Sequence, residues 1–202
     1  MRNLTNYIQE GLKINSKSKF RKYNYFPKTT DELENLVKQL IEEKGLKTDL
    51  NDIDTSEIID MSYIFYESEF NGDISNWDVS NVENMEGMFA ESEFNGDISN
   101  WNVSNVKNMF NMFVASKFNG DISKWDVSNV ENMYCMFYKS KFNGDISNWN
   151  VSKVENMRNM FYNSNFSQDI SKWDVSNVEN MFGMFKKCPL EKNPPKWYMN
   201  HK

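Results

Sequence analysis

The most regular chemistry in this 202-residue sequence belongs to its aspartates. Asp73, Asp97, Asp121, Asp145 and Asp169 recur every 24 residues, the first four directly after an Asn-Gly pair and the fifth after Ser167-Gln168. Asp repeated with Asn and Gly is the material of calcium loops, yet Ca²⁺ takes about six to eight oxygens and each turn here offers one carboxylate. An Asp in a turn more often accepts backbone N–H bonds, so the column predicts turn chemistry and no metal. A second column alternates as Asp78, Asn102, Asp126, Asn150 and Asp174, which relieves repulsion between neighbouring units. Nucleophiles and bases are scarce. His201 is the only histidine. Cys135 shares its column with Gly87, Asn111, Asn159 and Gly183 and reads as a thiol on a helix surface, whereas Cys188 fills an inward column and reads as inert. No grouping of base, nucleophile and ligands emerges, so the expectation is neither an enzyme nor a cofactor.

The remaining candidates are aromatic. Glu86, Phe110, Tyr134, Arg158 and Phe182 share one column; Tyr66, Ala90, Val114, Tyr138, Tyr162 and Lys186 share the column four residues on. Serine, by contrast, is invariant at 75, 99, 123, 147 and 171. A face tuned to one partner varies between repeats, so Phe110, Tyr134, Tyr138, Tyr162 and Phe182 are the expected partner-binding residues. The competing reading is that these rings only lap over the edge of the core.

What positions these columns is an unbroken 24-residue period. FNGDISNWDVSNVENMEGMFAESE, from Phe70 to Glu93, returns from Phe94, Phe118, Phe142 and Phe166, and all six tryptophans fall in one column. Such a period marks a solenoid, in which each unit covers the apolar face of the next. Within a unit, Trp77 and Val79 alternate with Asp78 and predict a short parallel strand. Met85, Met88 and Phe89 at i, i+3 and i+4, preceded by an Asn84 cap, predict a short helix. The expected fold is therefore an α/β solenoid, leucine-rich-repeat-like, with one short strand and one short helix per coil and a helical N-terminal cap. The predicted divisions are a basic helix and strap over 1–28, a helical cap over 29–48 and a repeat region over 49–189. That region has a degenerate first coil, 49–69, and five full repeats, 70–189. A C-terminal cap, 190–202, follows.

The pattern IxxWDVSxVxxMxxMFxxSxFNxD resembles the BspA-type leucine-rich repeat over about residues 49–189. The family often has Cys where this chain has Ser92, Ser116, Ser140 and Ser164; only Cys188 keeps it. The resemblance implies a curved solenoid used for protein binding, in relatives that are often surface-exposed adhesins or lipoproteins.

Residues 1–13 predict an amphipathic helix bearing Leu4, Tyr7, Ile8 and Leu12. The segment is similar to the N-terminal packaging peptides of some tailed-phage internal proteins, cut after an Ile/Leu-x-Glu triplet. That triplet here is Ile8-Gln9-Glu10, which makes Leu4, Tyr7, Ile8 and Glu10 targeting candidates and a packaged phage protein an alternative function. A carbohydrate-binding surface module is another. Residues 14–26 interleave basic and aromatic side chains, a pattern that grips nucleic acid or straps onto the repeats. Seven Lys or Arg against one Glu give residues 1–28 a balance of +6, which leaves −12 for the rest of a chain of net charge −6. The acidic repeats argue against nucleic acid as their partner; for the strap it stays open. A protein partner is expected. No apolar run is long enough to span a membrane and no signal peptide is visible, so the expected location is cytoplasmic or virion-associated.

Overall fold

The computed structural model describes residues 23–199. It begins with the end of the strap laid along the first unit: Asn24 N–H donates to Asp52 O at 2.7 Å, and Tyr25 forms a parallel bridge with Ile53. Helix α1, Thr30–Lys44, follows. Thr29 caps it by accepting the Glu32 N–H, and Gly45, at φ 94°, closes it through an N–H to Ile41 O. Both devices satisfy groups that the helix ends leave unpaired. Leu33, Val37 and Leu40 on its inner face are buried against the first unit.

From Asp60 onward the units are joined by backbone. Met85, Gly87, Phe89 and Glu91 donate N–H bonds to the carbonyls of Asn108, Phe110, Met112 and Val114 in the next unit, at 2.7–2.9 Å. The same 23-residue offset recurs down to Asn163 and Lys186. Parallel bridges join Asp60, Asn84, Asn108, Asn132, Asn156 and Asn180 in sequence. The sheet-like ladder thus runs through the Met-x-x-Met-Phe segment, and this corrects the expectation of a helix there. Among the described residues α-helix is confined to α1 and to α2, Lys196–Met199, with one 3₁₀ turn at Pro189–Glu191.

The physical reason lies in two left-handed residues per unit. Gly87, Asn111, Cys135, Asn159 and Gly183 have φ between 54° and 71°, and Glu91, Ala115, Lys139, Asn163 and Lys187 between 51° and 60°. A right-handed helix cannot pass through such residues. The chain makes successive tight turns instead, with Met88 N–H on Met85 O, Ala90 on Gly87 and Ser92 on Phe89. These turns leave alternate N–H groups free to point at the neighbouring unit. Asn84, expected as a helix cap, instead accepts the Glu86 N–H in an Asx turn. At Gly87 a side chain would also meet the Tyr63 ring at 2.4 Å.

The Trp segment, expected as the strand, carries no strand. Its backbone turns locally, with Trp77 N–H on Ile74 O and Val82 N–H on Val79 O. The link to the next unit comes from the side chain. Trp101, Trp125, Trp149 and Trp173 each donate the indole N–H to the carbonyl of Ile74, Ile98, Ile122 and Ile146, at 3.1–3.2 Å. Trp77 and Trp197 extend the series at either end, to Leu50 and Ile170.

Two phenylalanine columns fill the centre. Phe65, Phe89, Phe113, Phe137, Phe161 and Phe185 stack nearly parallel at 5.5–6.0 Å. Phe70, Phe94, Phe118, Phe142 and Phe166 form a second column whose rings lie 4.0–4.9 Å from the first. Each stacked pair adds about 0.5–1.5 kcal/mol beyond its burial. The buried Ser116 and Ser140 accept the Phe118 and Phe142 N–H groups, so the polar column inside the core is satisfied. Cys188 takes that place in the last unit and is buried. Cys135, expected on a helix surface, is buried in left-handed backbone.

Two substitutions test this architecture. Trp125→Phe removes the indole donor and leaves the Ile98 carbonyl with only the Trp101 N–H, so urea denaturation should show a loss of about 0.5–1.5 kcal/mol. An unchanged midpoint would remove the indole bond from the account. Cys135→Asn places a residue that tolerates positive φ where its column already has Asn111 and Asn159. A gain of about 1 kcal/mol is expected by the same measurement, and a loss would mean that thiol packing outweighs backbone strain.

Candidate functional site

The acidic columns are occupied by their own turns. Asp73, Asp97, Asp121, Asp145 and Asp169 each accept the N–H of the serine two residues on, at 2.9 Å. This bond holds each carboxyl below its ordinary pKa. Asp126 and Asp174 are lowered likewise by Ser128 and Ser176. Among the described residues no three His, Cys, Asp or Glu side chains gather as a metal site would need. Both thiols are raised by burial, Cys135 and Cys188 alike, which disfavours the reactive thiolate.

The aromatic columns do come together. Phe110 stacks on Tyr134 at 5.1 Å and 8°, and Tyr138 on Tyr162 at 5.1 Å and 13°. All four rings are half-buried. Phe182 at the end of the strip is 72% exposed. Both columns sit on the tight-turn segment and not on a helix, yet the turns set them side by side because their backbones lie in register across units.

Arg158 was seen in the sequence only as a column member. Its guanidinium lies between the Tyr134 and Phe182 rings, 5.9 and 5.7 Å from their centroids, and makes the strip continuous. Lys139 and Lys187 cover Tyr138 and Tyr162 at 5.3 and 5.7 Å. The signal for Arg158 was available: a cation one repeat from a ring on either side, filling the gap between Tyr134 and Phe182 in a column that is aromatic at its other positions from Phe110 onward. At the far end Tyr63 donates its hydroxyl to the Glu86 carboxylate, a bond that pushes the phenol up to about 12.

Beyond Phe182 the last unit offers an open edge. The N–H groups of Met181 and Gly183, whose counterparts Met157 and Asn159 bond the following unit, meet no acceptor among the described residues. A shallow hollow of about 490 Å³ lies there, lined by Val178, Met181, Phe182, Gly183 and Tyr198. The targeting candidates Leu4, Tyr7, Ile8 and Glu10 lie outside the described residues, as do the basic side chains of the strap before Tyr23. No helix among the described residues is long and apolar enough to cross a membrane.

Compared with known proteins, residues 31–141 and 114–197 match the family described as "Mycoplasma protein of unknown function, DUF285". No curated protein and no solved structure matches the chain.

The aspartate turns make a pH prediction. The unfolded carboxyl titrates near about 3.9, and the folded ones titrate lower. Their contribution is therefore complete above the unfolded value and is lost as pH falls through the folded values. The Tm should stay level from about pH 7 to 5 and fall below about pH 4. Asp97→Asn with Asp121→Asn and Asp145→Asn keeps the accepting oxygen and removes the charge, so its acid decline should be shallower. An identical decline would place the acid sensitivity elsewhere.

Proposed function

We propose that this chain, which belongs to the DUF285 family, is a non-enzymatic protein-interaction module whose binding face is the aromatic strip on its tight-turn side. We read its stacked units as a BspA-like solenoid, a reading supported by the constant 23-residue offset of the inter-unit bonds and by the Trp-Asp-Val-Ser and Met-x-x-Met-Phe columns.

The observation that carries the function is the contrast between two faces of one repeat. The Asp-x-Ser face repeats the same hydrogen bond five times. It offers a ligand nothing to distinguish one unit from another. The turn face carries Glu86, Phe110, Tyr134, Arg158 and Phe182 in consecutive units and keeps its rings partly open to solvent. Aromatic side chains and arginine are the groups that protein interfaces concentrate at their centres. Stacked rings held rigidly by a backbone ladder lose little further freedom on binding, which favours affinity.

Phe110→Glu combined with Tyr134→Glu should leave the melting transition in place, because both side chains sit outside the stacked core. The same variant, immobilised and exposed to an extract of source cells, should capture its protein partner at least about tenfold less than wild type, as loss of hot-spot rings of about 1.4 kcal/mol or more requires. Unchanged capture would move the binding face to the Asp-x-Ser side. Capture of glycan in place of protein would favour a carbohydrate-binding module.

A further inference from the structure

The strip is polarised in charge along the stack. Four outward columns meet on it, those of Glu86, Ala90, Glu91 and Glu93. In the first two units their only charged residues are Glu67, Glu69, Glu86, Glu91 and Glu93. In the last four units they are Lys117, Lys139, Lys141, Arg158, Lys186 and Lys187. Within these four columns no opposite sign intrudes on either half, and the halves meet where Lys117 pairs with Glu93 at 3.8 Å. All but the half-buried Glu86 are exposed. Contacts place both signs on the same aromatic surface. Glu86 accepts the Tyr63 hydroxyl at one end, while Lys139, Arg158 and Lys187 lie over rings at the other. Glu131, Glu155 and Glu179 line a separate hollow with Lys153 and Asn177, and Glu179 alone of them also borders the hollow beside Phe182.

We propose that the strip binds a second copy of this chain in antiparallel, two-fold fashion, with the acidic half of each strip on the basic half of the other. The proposal rests on the reading of the turn side as a binding face. A surface acidic at one end and basic at the other repels itself when laid parallel and complements itself when reversed. Only the reversed arrangement is isologous and closes at two copies. A two-fold axis near Val114 and Ala115 lays Glu67 against the second copy's Arg158 and Glu91 against its Lys139. Phe110, Tyr134 and Tyr138 then lie near the centre, where an interface excludes water best. Stacking end to end is disfavoured, because α1 covers the first unit and Thr30 Oγ occupies the Asp60 carbonyl at 2.7 Å. With the axis at the third unit the first five units overlap, and at about 4.8 Å apart they make a strip about 19 Å long. At about 20 Å wide it buries about 400 Å² per partner, less than the ~800 Å² of a standard interface. The dimer is therefore weak and depends on charge.

Sedimentation equilibrium of the full chain tests this. A monomer–dimer equilibrium is expected at about 50 mM salt, and at about 500 mM its Kd should rise at least about tenfold, because the Debye length falls to a few ångströms. Lys139→Glu/Arg158→Glu/Lys187→Glu makes the strip largely acidic; Glu67→Lys/Glu91→Lys/Glu93→Lys makes it largely basic. Each variant alone should be monomeric, and an equimolar mixture should form a heterodimer. A wild type that stays monomeric at about 200 µM and low salt overturns the proposal, as does a dimer indifferent to both salt and charge reversal. The salt titration of wild type decides the matter even if a variant fails to fold. The two proposals fail separately. A monomeric wild type overturns the dimer whatever Phe110→Glu/Tyr134→Glu does to capture, and unchanged capture overturns the aromatic reading whatever the sedimentation shows.

Discussion

Everything in this chain depends on alternate backbone N–H groups of one unit reaching the carbonyls of the next. Met85, Gly87, Phe89 and Glu91 do so toward the following unit, and their counterparts repeat the arrangement. An unpaired buried peptide group costs about 1–3 kcal/mol, so four such bonds per junction define one alignment and penalise every other. To point four donors along the stack within seven residues, the backbone must turn twice through left-handed geometry. That requirement sets the residues at 87 and 91 and their equivalents, directs Met85, Met88 and Phe89 inward, and leaves 86 and 90 outward. The core columns and the candidate surface are two sides of one backbone solution.

The bond is also directional, and the two ends of the stack meet different needs. At the first unit carbonyls face outward, and α1 covers them with a hydroxyl donor and three buried aliphatic side chains. At the last unit N–H groups face outward. Lys187 finds the Glu91-column solution in a new form, donating its N–H to the Glu191 carboxylate at 2.8 Å. Trp197 and Tyr198 pack on Phe185 and shield the phenylalanine column. The cover is thinner than α1, which explains why Val178 and Met181 are less completely buried than the same columns in earlier units.

The period, the inward columns and the presence of a helix within 29–48 were all legible in the sequence, because burial follows residue type whatever the backbone does. The conformation of the repeat was not. Apolar residues at i, i+3 and i+4 are spaced as on a helix, and two successive tight turns bring the same three positions to the same side. The distinguishing signal was the column of Gly87, Asn111, Asn159 and Gly183: Gly and Asn are the residues that accept positive φ most readily. Read as variable surface positions, they lost that meaning, and Cys135 among them disguised it further. The strand assignment failed for a related reason. Trp-Asp-Val alternates as a strand does, but its inter-unit bond is made by an indole nitrogen, which no backbone pattern announces. At the surface the sequence identified the rings of the strip but not their pairing with Arg158 and Lys187, since Arg158 reaches Tyr134 and Phe182 one unit away and Lys187 reaches Tyr162 across a junction, contacts that require the register of the ladder.

The indole bonds carry a consequence for how such genes change. Each tryptophan reaches back 27 residues to a carbonyl in the preceding unit, and each ladder bond reaches 23 forward. Every junction asks the same of its two sides, so a unit does not record its own position. Recombination that removes or duplicates a whole repeat restores all of these bonds at the new junction, whereas an insertion of one residue breaks the ladder and the indole series together. Length is thus inherited in steps of 24 residues. Surface residues travel with their unit, so unequal exchange shuffles the order of rings and charges without disturbing the interior. A lineage can rewrite what the strip presents by rearranging existing units, without waiting for point mutations.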